Sequence, residues 1–307
     1  MKTFAVLGVG AIGGYCAARL AKAGFRVHCL LRSDFSFVKE HGLTMVSSEE
    51  KIQVKVNAYE NISTMPACDV ILVALKTTQN HLLKERLPPI MHSKTIVVLL
   101  QNGIGMDQQL AEYIPDQKII GGICNLIVRK ESPGTVRHLG HNFIQLAQYY
   151  PDETMQGIPQ MIEDLCQNFR QAGIQCTPRS HLPTLRWEKL AANIPFNGLS
   201  TVLNASIQEL VTNSASFSLL CAITQEVISA AERFGAPPPP DFFQFRLKIL
   251  KSFIGLEKSY PSMKEDFDAK RPLELKAIYE NAINIAKAHH YSMSLTEMLY
   301  QQLCYLE

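Results

Sequence analysis

Little in this chain points to a nucleic acid, a membrane or a metal. Excess charge of one sign is missing: 30 Lys and Arg against 28 Asp and Glu leave a formal +2. There is thus no electrostatic footprint for nucleic acid or for an anionic membrane surface. No continuous apolar run reaches the roughly 18 to 20 residues that span a bilayer, so no membrane association is expected. Phe4-Ala5-Val6-Leu7 ahead of Gly8 is shorter than the apolar core of about 7 to 15 residues in a secretory signal, and the expected compartment is the cytoplasm. Paired cysteines are also lacking. Cys16, Cys29, Cys68, Cys124, Cys166, Cys176, Cys221 and Cys304 are scattered, with no Cys-x-x-Cys and no zinc-ligand spacing with His. They read as reduced thiols acting as small core hydrophobes. The adjacent His289 and His290 point to different faces of a helix, and no metal site is expected.

What is present is a large capacity for a core. Of the 307 residues 47% are hydrophobic and 19% charged, a composition that excludes disorder. At roughly 150 residues per domain, one large or two ordinary domains are expected. Short apolar runs at 2–7, 26–31, 70–75 and 95–100 alternate with helical stretches at 11–23, 79–90 and 106–113. That alternation indicates βαβ units and a parallel sheet covered on both faces. Runs at 119–128 and 136–146 flank the turn-like Glu131-Ser132-Pro133-Gly134 and read as antiparallel strands added to the sheet. A helix at 155–172 and a strand at 174–177 would close the unit. Beyond 180 the strand-like runs stop, and helical patterns follow at 185–197, 214–234, 242–256 and 273–289. The four prolines Pro237 to Pro240 read as a stiff connector between two of these helices. The expected fold is an α/β N-terminal Rossmann-type dinucleotide-binding domain, 1–180, followed by an all-α C-terminal domain, 181–307.

Gly8-Val9-Gly10-Ala11-Ile12-Gly13 is Gly-x-Gly-x-x-Gly placed between the first strand and the first helix. In that context it reads as a dinucleotide site. Gly8 permits the tight turn, Gly10 the approach of a pyrophosphate, and Gly13 close packing of helix on strand. Where an NAD-binding unit carries Asp or Glu at the end of its second strand, this chain carries Leu31-Arg32-Ser33. A guanidinium binds a 2′-phosphate that a carboxylate would repel, so Arg32 favours NADPH, although a solvated surface arginine would look the same. Lys76 and Asn102 each end a buried strand, where ligands of open α/β sheets sit. By position alone Lys76 could equally be a surface lysine, and Asn102-Gly103 simple turn chemistry.

In the helical half, Lys189, Asn193 and Asn197 are spaced i, i+4, i+8 and fall within an arc of about 80° on an otherwise apolar helix. They form either a solvated face or a polar stripe turned to a ligand. Pro195 has no N–H for the Ala191 carbonyl, which predicts a kink beside the stripe. Ser262-Met263 and Glu274 form a second polar cluster.

Taken together, these residues resemble the ketopantoate reductase (2-dehydropantoate 2-reductase) family over nearly the whole chain. The resemblance rests on Gly8-x-Gly10-x-x-Gly13-Gly14, Arg32, Leu75-Lys76 and Gln101-Asn102-Gly103-x-Gly105. It continues through Trp187-x-Lys189-Leu190-x-x-Asn193-x-x-x-Asn197, Ser262-Met263 and Glu274. It implies NADPH-dependent reduction of ketopantoate to pantoate, in pantothenate and coenzyme A biosynthesis, with the active site in the cleft between the two domains. It also implies a homodimer and a small 2-oxo acid as substrate. By the same resemblance Lys189 is the general acid and Glu274 the carboxylate beside it. Asn193, Asn197, Ser262 and Asn102 would contact the substrate. The cofactor would be held by Gly8, Val9, Gly10, Ala11, Ile12, Gly13, Arg32, Lys76, Asn102 and Glu274. Where the family often reads Thr-Glu-Ile-Asp-x-x-Asn-Gly, this chain reads Leu273-Glu274-Leu275-Lys276-Ala277-Ile278-Tyr279-Glu280. That departure bears on the substrate and leaves the cofactor reading intact. The competing readings are a reductase of another branched 2-oxo acid and a non-catalytic NADPH-binding sensor. Retention of both Lys189 and Glu274 argues against the sensor.

The cofactor assignment is tested by Arg32→Ala. Hydrogen bonds to a charged group contribute about 1.5 to 3 kcal/mol, so NADPH binding should weaken by that amount while NADH binding changes little. Equal affinity of the unmutated protein for the two nucleotides, read by fluorescence titration, would sink the assignment.

Overall fold

A computed structural model describes residues 2–114, 118–151, 157–255 and 258–307. Two compact units divide the chain. The first comprises Met1–Gln101 and Met106–Leu182; the second comprises Asn102–Gly105 and Pro183–Glu307.

In the first unit, β1 (Thr3–Leu7), α1 (Ala11–Lys22) and β2 (Arg26–Leu30) form the opening βαβ unit. α2 (Phe35–His41) follows, then β3 (Leu43–Val46), β4 (Lys51–Val54) and β5 (Asn57–Tyr59), and then β6 (Val70–Val73). A short helix α3 (Leu83–Arg86) leads to β7 (Ile96–Leu99), α4 (Met106–Ala111), the long strands β8 (Lys118–Ser132) and β9 (Thr135–Gln148), α5 (Gln160–Gln171) and β10 (Gln175–Pro178). The strand order β5-β2-β1-β6-β7-β8 is six parallel strands, the doubly wound dinucleotide-binding order. β1, β6 and β7 are buried almost throughout, as strands covered on both faces must be. β9 turns back antiparallel on β8, β3 joins β9, and β10 pairs with β9. This extension curls over α1, where Tyr15 OH donates to Asn142 Oδ1 at 2.8 Å.

Several elements differ from the sequence expectation. The three short strands between 43 and 59 and helix α2 were not anticipated. β3 to β5 are three or four residues long, too short for a periodic signal, and are held by neighbours distant in sequence. The expected helix 79–90 is instead a 3-10 turn Thr77–Leu82, α3, and a second 3-10 turn Pro88–Ile90. Pro88 and Pro89 have no N–H to continue a helix. The expected helix start at 155 lies outside the described residues, and so does the expected helix end at 256.

The second unit is helical throughout: α6 (Leu182–Val202), α7 (Ile207–Thr212), α8 (Ser214–Phe234), α9 (Phe242–Ser252), α10 (Ser262–Asp268), α11 (Asn281–Ala288) and α12 (Ser294–Leu306). The expected helix 273–289 is not regular, because Lys276–Glu280 is a π-helical turn ahead of α11. By length and composition alone α8 is long and apolar enough to cross a membrane, with a mean hydropathy of 1.2 over its most apolar window, although it holds no unbroken apolar run of that length. Its buried Leu220, Ile223 and Val227 belong to the core of this unit. Glu226 at its middle accepts from the Leu295 and Thr296 N–H groups and from Thr296 Oγ1, capping α12.

The eight cysteines are free thiols, five of them buried. The β2–α2 loop that carries Arg32 is pinned by Asp34. Its carboxylate takes the Lys130 ammonium at 2.7 Å, the Gly134 N–H at 3.0 Å and the Ser33 hydroxyl at 3.1 Å. Burial alone would raise the Asp34 pKa, but these donors outweigh it and hold the carboxyl below its usual range. A carboxylate with a lowered folded pKa stabilises the fold above its unfolded value of about 3.9 and loses that contribution as pH falls through the folded value. Asp34→Asn should therefore cost about 2 kcal/mol at pH 7, in the range for hydrogen bonds to charged groups. The gap from the unmutated protein should close in acid, as the pH falls through the lowered folded value. Urea unfolding of both proteins at pH 7 and in acid measures it, and a gap that persists in acid would contradict the assignment.

Candidate functional site

The first unit presents the nucleotide-binding parts. Gly8 has φ +94, and a Cβ there would stand 2.5 Å from the Leu75 N atom, so the turn after β1 lies flat against the end of β6. A Cβ on Gly13 would stand 2.1 Å from the Gly8 carbonyl oxygen, which is the close approach of α1 to the strand. Gly10 differs from both: nothing lies within 4 Å of the position its Cβ would take. Gly10 is the N-cap of α1, no side chain caps that end, and no acidic residue lies in its first turn. An open glycine face at a helix N-terminus with no carboxylate suits a pyrophosphate. Val9, Ala11 and Ile12 are half-buried around this turn.

Lys76 follows the β6 end that the glycine turn touches; it is half-buried and engaged in contacts of its own. The neighbouring backbone is held by Gln101, whose Nε2 donates to the Leu75 carbonyl at 2.8 Å and to Asn80 Oδ1 at 2.6 Å. Arg32 is exposed two residues beyond β2. Asp34, which fixes its loop, carries no motif signal in the sequence, because its partners lie about a hundred residues away.

The second unit holds the remaining residues. Lys189, Asn193 and Asn197 all lie on α6; Asn197 is buried, and the other two are half-buried. The Asn193 Nδ2 atom is fully buried without a hydrogen-bond partner among the described residues. Such a group in a native fold calls for an acceptor from elsewhere, as a bound carboxylate or hydroxyl would be. Helix α6 runs on through Pro195, because the carbonyls around the proline are taken up by hydroxyls of other helices. Thr224 Oγ1 donates to the Ala191 carbonyl at 3.4 Å, and Tyr279 OH donates to the Ile194 carbonyl at 2.9 Å.

Glu274 is buried immediately before the π-helical turn and is held by contacts within the fold. Ala277 and Ile278 are buried with it while Lys276 is exposed, so the glutamate shares the inner face. The same turn grips the loop that carries Asn102. The Ile104 N–H donates to the Ala277 carbonyl at 2.9 Å, and Asn281 Nδ2 donates to the Ile104 carbonyl at 2.7 Å. Gly103, at φ +102, lies where a Cβ would come within 2.5 Å of the Ala277 carbonyl oxygen. Asn102 is thereby fixed to the backbone next to Glu274. Ser262 is exposed at the first residue of α10, and its side chain makes no hydrogen bond among the described residues. Thr224, Tyr279 and Asn281 escape sequence reading, since each acts on backbone carried by another element. Among the described residues no group of three His, Cys, Asp or Glu side chains is arranged to hold a metal ion.

A doubly wound sheet with an open Gly-x-Gly-x-x-Gly turn, followed in the chain by a helical unit that carries Lys189, Asn193, Asn197 and Glu274, is the pattern of a nucleotide-dependent oxidoreductase. Residues 4–150 match the family model described as ketopantoate reductase PanE/ApbA, and residues 182–307 match its C-terminal counterpart. The 2-dehydropantoate 2-reductase of Nostoc sp. is 39% identical over all of this chain and 95% of its own length. The crystal structure of 2-dehydropantoate 2-reductase from Geobacter metallireducens superposes with a TM-score of 0.92 at 32% identity, covering 99% of this chain and 100% of that one. D-mandelate dehydrogenase with NADH and anilino(oxo)acetate shares the fold at a TM-score of 0.88 and 21% identity, covering 99% and 98%. The chain belongs to the ketopantoate reductase family.

Gly10 and Gly13 separate cofactor space from packing. Gly10→Ala should leave the melting temperature within a few degrees, yet weaken NADPH at least about tenfold, since the added methyl occupies space a pyrophosphate needs. Gly13→Ala meets backbone and should lower the melting temperature itself. Unchanged NADPH affinity in Gly10→Ala, by calorimetry, would show that the turn holds no phosphate.

Proposed function

We propose that the chain reduces ketopantoate to pantoate with NADPH as hydride donor, a step of pantothenate and coenzyme A biosynthesis. The buried, unpartnered Asn193 amide on the same helix as Lys189 and Asn197 carries the reading, because it supplies a donor aimed at no protein group. NADPH, when bound, supplies a hydride to the C2 carbonyl carbon. The glycine turn 8–13 would cradle its pyrophosphate, with Arg32 on the 2′-phosphate and Lys76, Asn102 and Glu274 toward the ribose and nicotinamide.

As the carbonyl carbon is reduced, its oxygen gains negative charge. The Lys189 ammonium stabilises that oxyanion and then donates its proton to it. Asn193, Asn197, Asn102 and Ser262 hold the substrate's carboxylate and hydroxyl. Glu274 accepts from the substrate hydroxyl and keeps Lys189 oriented. Such orientation supplies several kcal/mol of barrier lowering. The first unit, up to about residue 180, serves the cofactor; the helical unit serves the substrate and a second copy of the chain. The family resemblance supports a cytoplasmic homodimer.

One observation favours a second reading within the same chemistry. Leu273, Lys276 and Tyr279 replace the polar neighbours that the family pattern places around the glutamate, so the preferred substrate could be another branched 2-oxo acid. A carboxylate that reads a substrate hydroxyl disfavours analogues lacking it.

NADPH oxidation against a panel of 2-oxo acids decides between them. Ketopantoate should be preferred over 2-oxo-isovalerate, and activity on the latter alone would establish the second reading. Lys189→Ala should lower kcat at least about a hundredfold with NADPH still bound, as loss of a proton donor does. Near-normal turnover in that variant would remove Lys189 from the proton-donor role.

A further inference from the structure

Tyr279 is fully buried, and its position is unusual for a core tyrosine. Its ring packs parallel to Tyr300 with centroids 6.4 Å apart. Its hydroxyl does not meet another side chain. It donates to the Ile194 carbonyl of α6 at 2.9 Å. The regular helical donor to that carbonyl is the Gly198 N–H, and Gly198 itself lies against the same hydroxyl. Only glycine suits position 198, because a Cβ there would stand 2.9 Å from the Tyr279 hydroxyl and 2.4 Å from Leu299 Cδ2. The phenol thus joins the backbone ladder of α6 at the Ile194 carbonyl, directly beside Gly198. The turn it enters runs from Ile194 to Gly198. Asn193 immediately precedes that turn, Asn197 lies inside it, and Pro195 has already removed the hydrogen bond to Ala191 in the turn before.

We propose that Tyr279 is a positioning residue that sets the spacing between Asn193 and Asn197, and through it selects the 2-oxo acid that fits. The inference rests on the reading of those two asparagines as substrate ligands. The π-helical turn is the means: Tyr279 stands five residues after Glu274, so one short segment carries the glutamate, grips the Asn102 loop through Ala277, and reaches α6 through this hydroxyl. Wide turns of this kind recur at functional sites for that reason. A tyrosine needed only for packing would require its ring and not its oxygen.

Tyr279→Phe separates the two roles. Phenylalanine keeps the ring, and it leaves the Ile194 carbonyl and the Gly198 N–H to pair with each other alone, so no buried polar group is stranded. The melting temperature should stay within a few degrees of the parent, and the Gly198 amide should exchange more slowly with deuterium. Because two contacts of one ligand are moved out of register, the KM for ketopantoate should rise about tenfold with kcat within about threefold. Preference over 2-oxo-isovalerate should shrink, and NADPH affinity should not change. An unchanged KM with unchanged preference would overturn the proposal, as would a fall in melting temperature with parental KM, which marks a packing role only. If the parent protein reduces a different 2-oxo acid, it is the ketopantoate reading that fails. The same KM comparison on that acid, with the amide exchange, then judges the role of Tyr279.

Discussion

The helical unit depends on a single wide turn of backbone. In an ordinary α-helix the carbonyl of residue i is consumed by the N–H of residue i+4, and such a turn offers nothing to its neighbours. At Lys276–Glu280 the helix widens, and the Ala277 carbonyl is available to the Ile104 N–H of a loop far away in sequence. Asn281 completes that grip from the next turn, and Tyr279 reaches in another direction to α6. Three segments that must act together are thereby indexed to one stretch of main chain. Glu274, directly ahead of it, inherits that rigidity.

A comparable economy governs the first unit, where contact between backbones replaces contact between side chains. The Gly8 turn rests on the end of β6, and α1 rests on the Gly8 carbonyl, both at distances no side chain would permit. The long β8–β9 hairpin then curls over α1 and anchors Asp34, so the loop with Arg32 is fixed by residues of a different strand pair. Both units therefore place their functional groups on segments whose backbone is held from outside. Precise placement is what a reaction governed by orientation requires.

Proline in a buried helix shows how the two levels are connected. Pro195 deprives the Ala191 carbonyl of its donor, and a kink would be the response of an isolated helix. In the folded unit Thr224 supplies a hydroxyl to that carbonyl, and Tyr279 supplies one to the Ile194 carbonyl three residues further along the helix. The helix continues with its polar stripe intact.

Much of this was legible in the sequence. The buried strand runs, the glycine motif after the first of them, the arginine in place of an acid at 32, and the i, i+4, i+8 stripe are local patterns, and local patterns follow from backbone geometry alone. They determined the fold class and the cofactor class, and they marked out a polar face on α6. Tertiary structure alone decided the three short strands between 43 and 59, the π-helical turn, and the roles of Asp34, Thr224, Tyr279 and Asn281. Apart from β4, which pairs with the adjacent β3, each of these depends on a partner tens to hundreds of residues away, and no periodicity within a segment records which distant carbonyl or N–H it will meet. A carbonyl's need for a donor can be read from one proline; the identity of the donor exists only once the chain has folded.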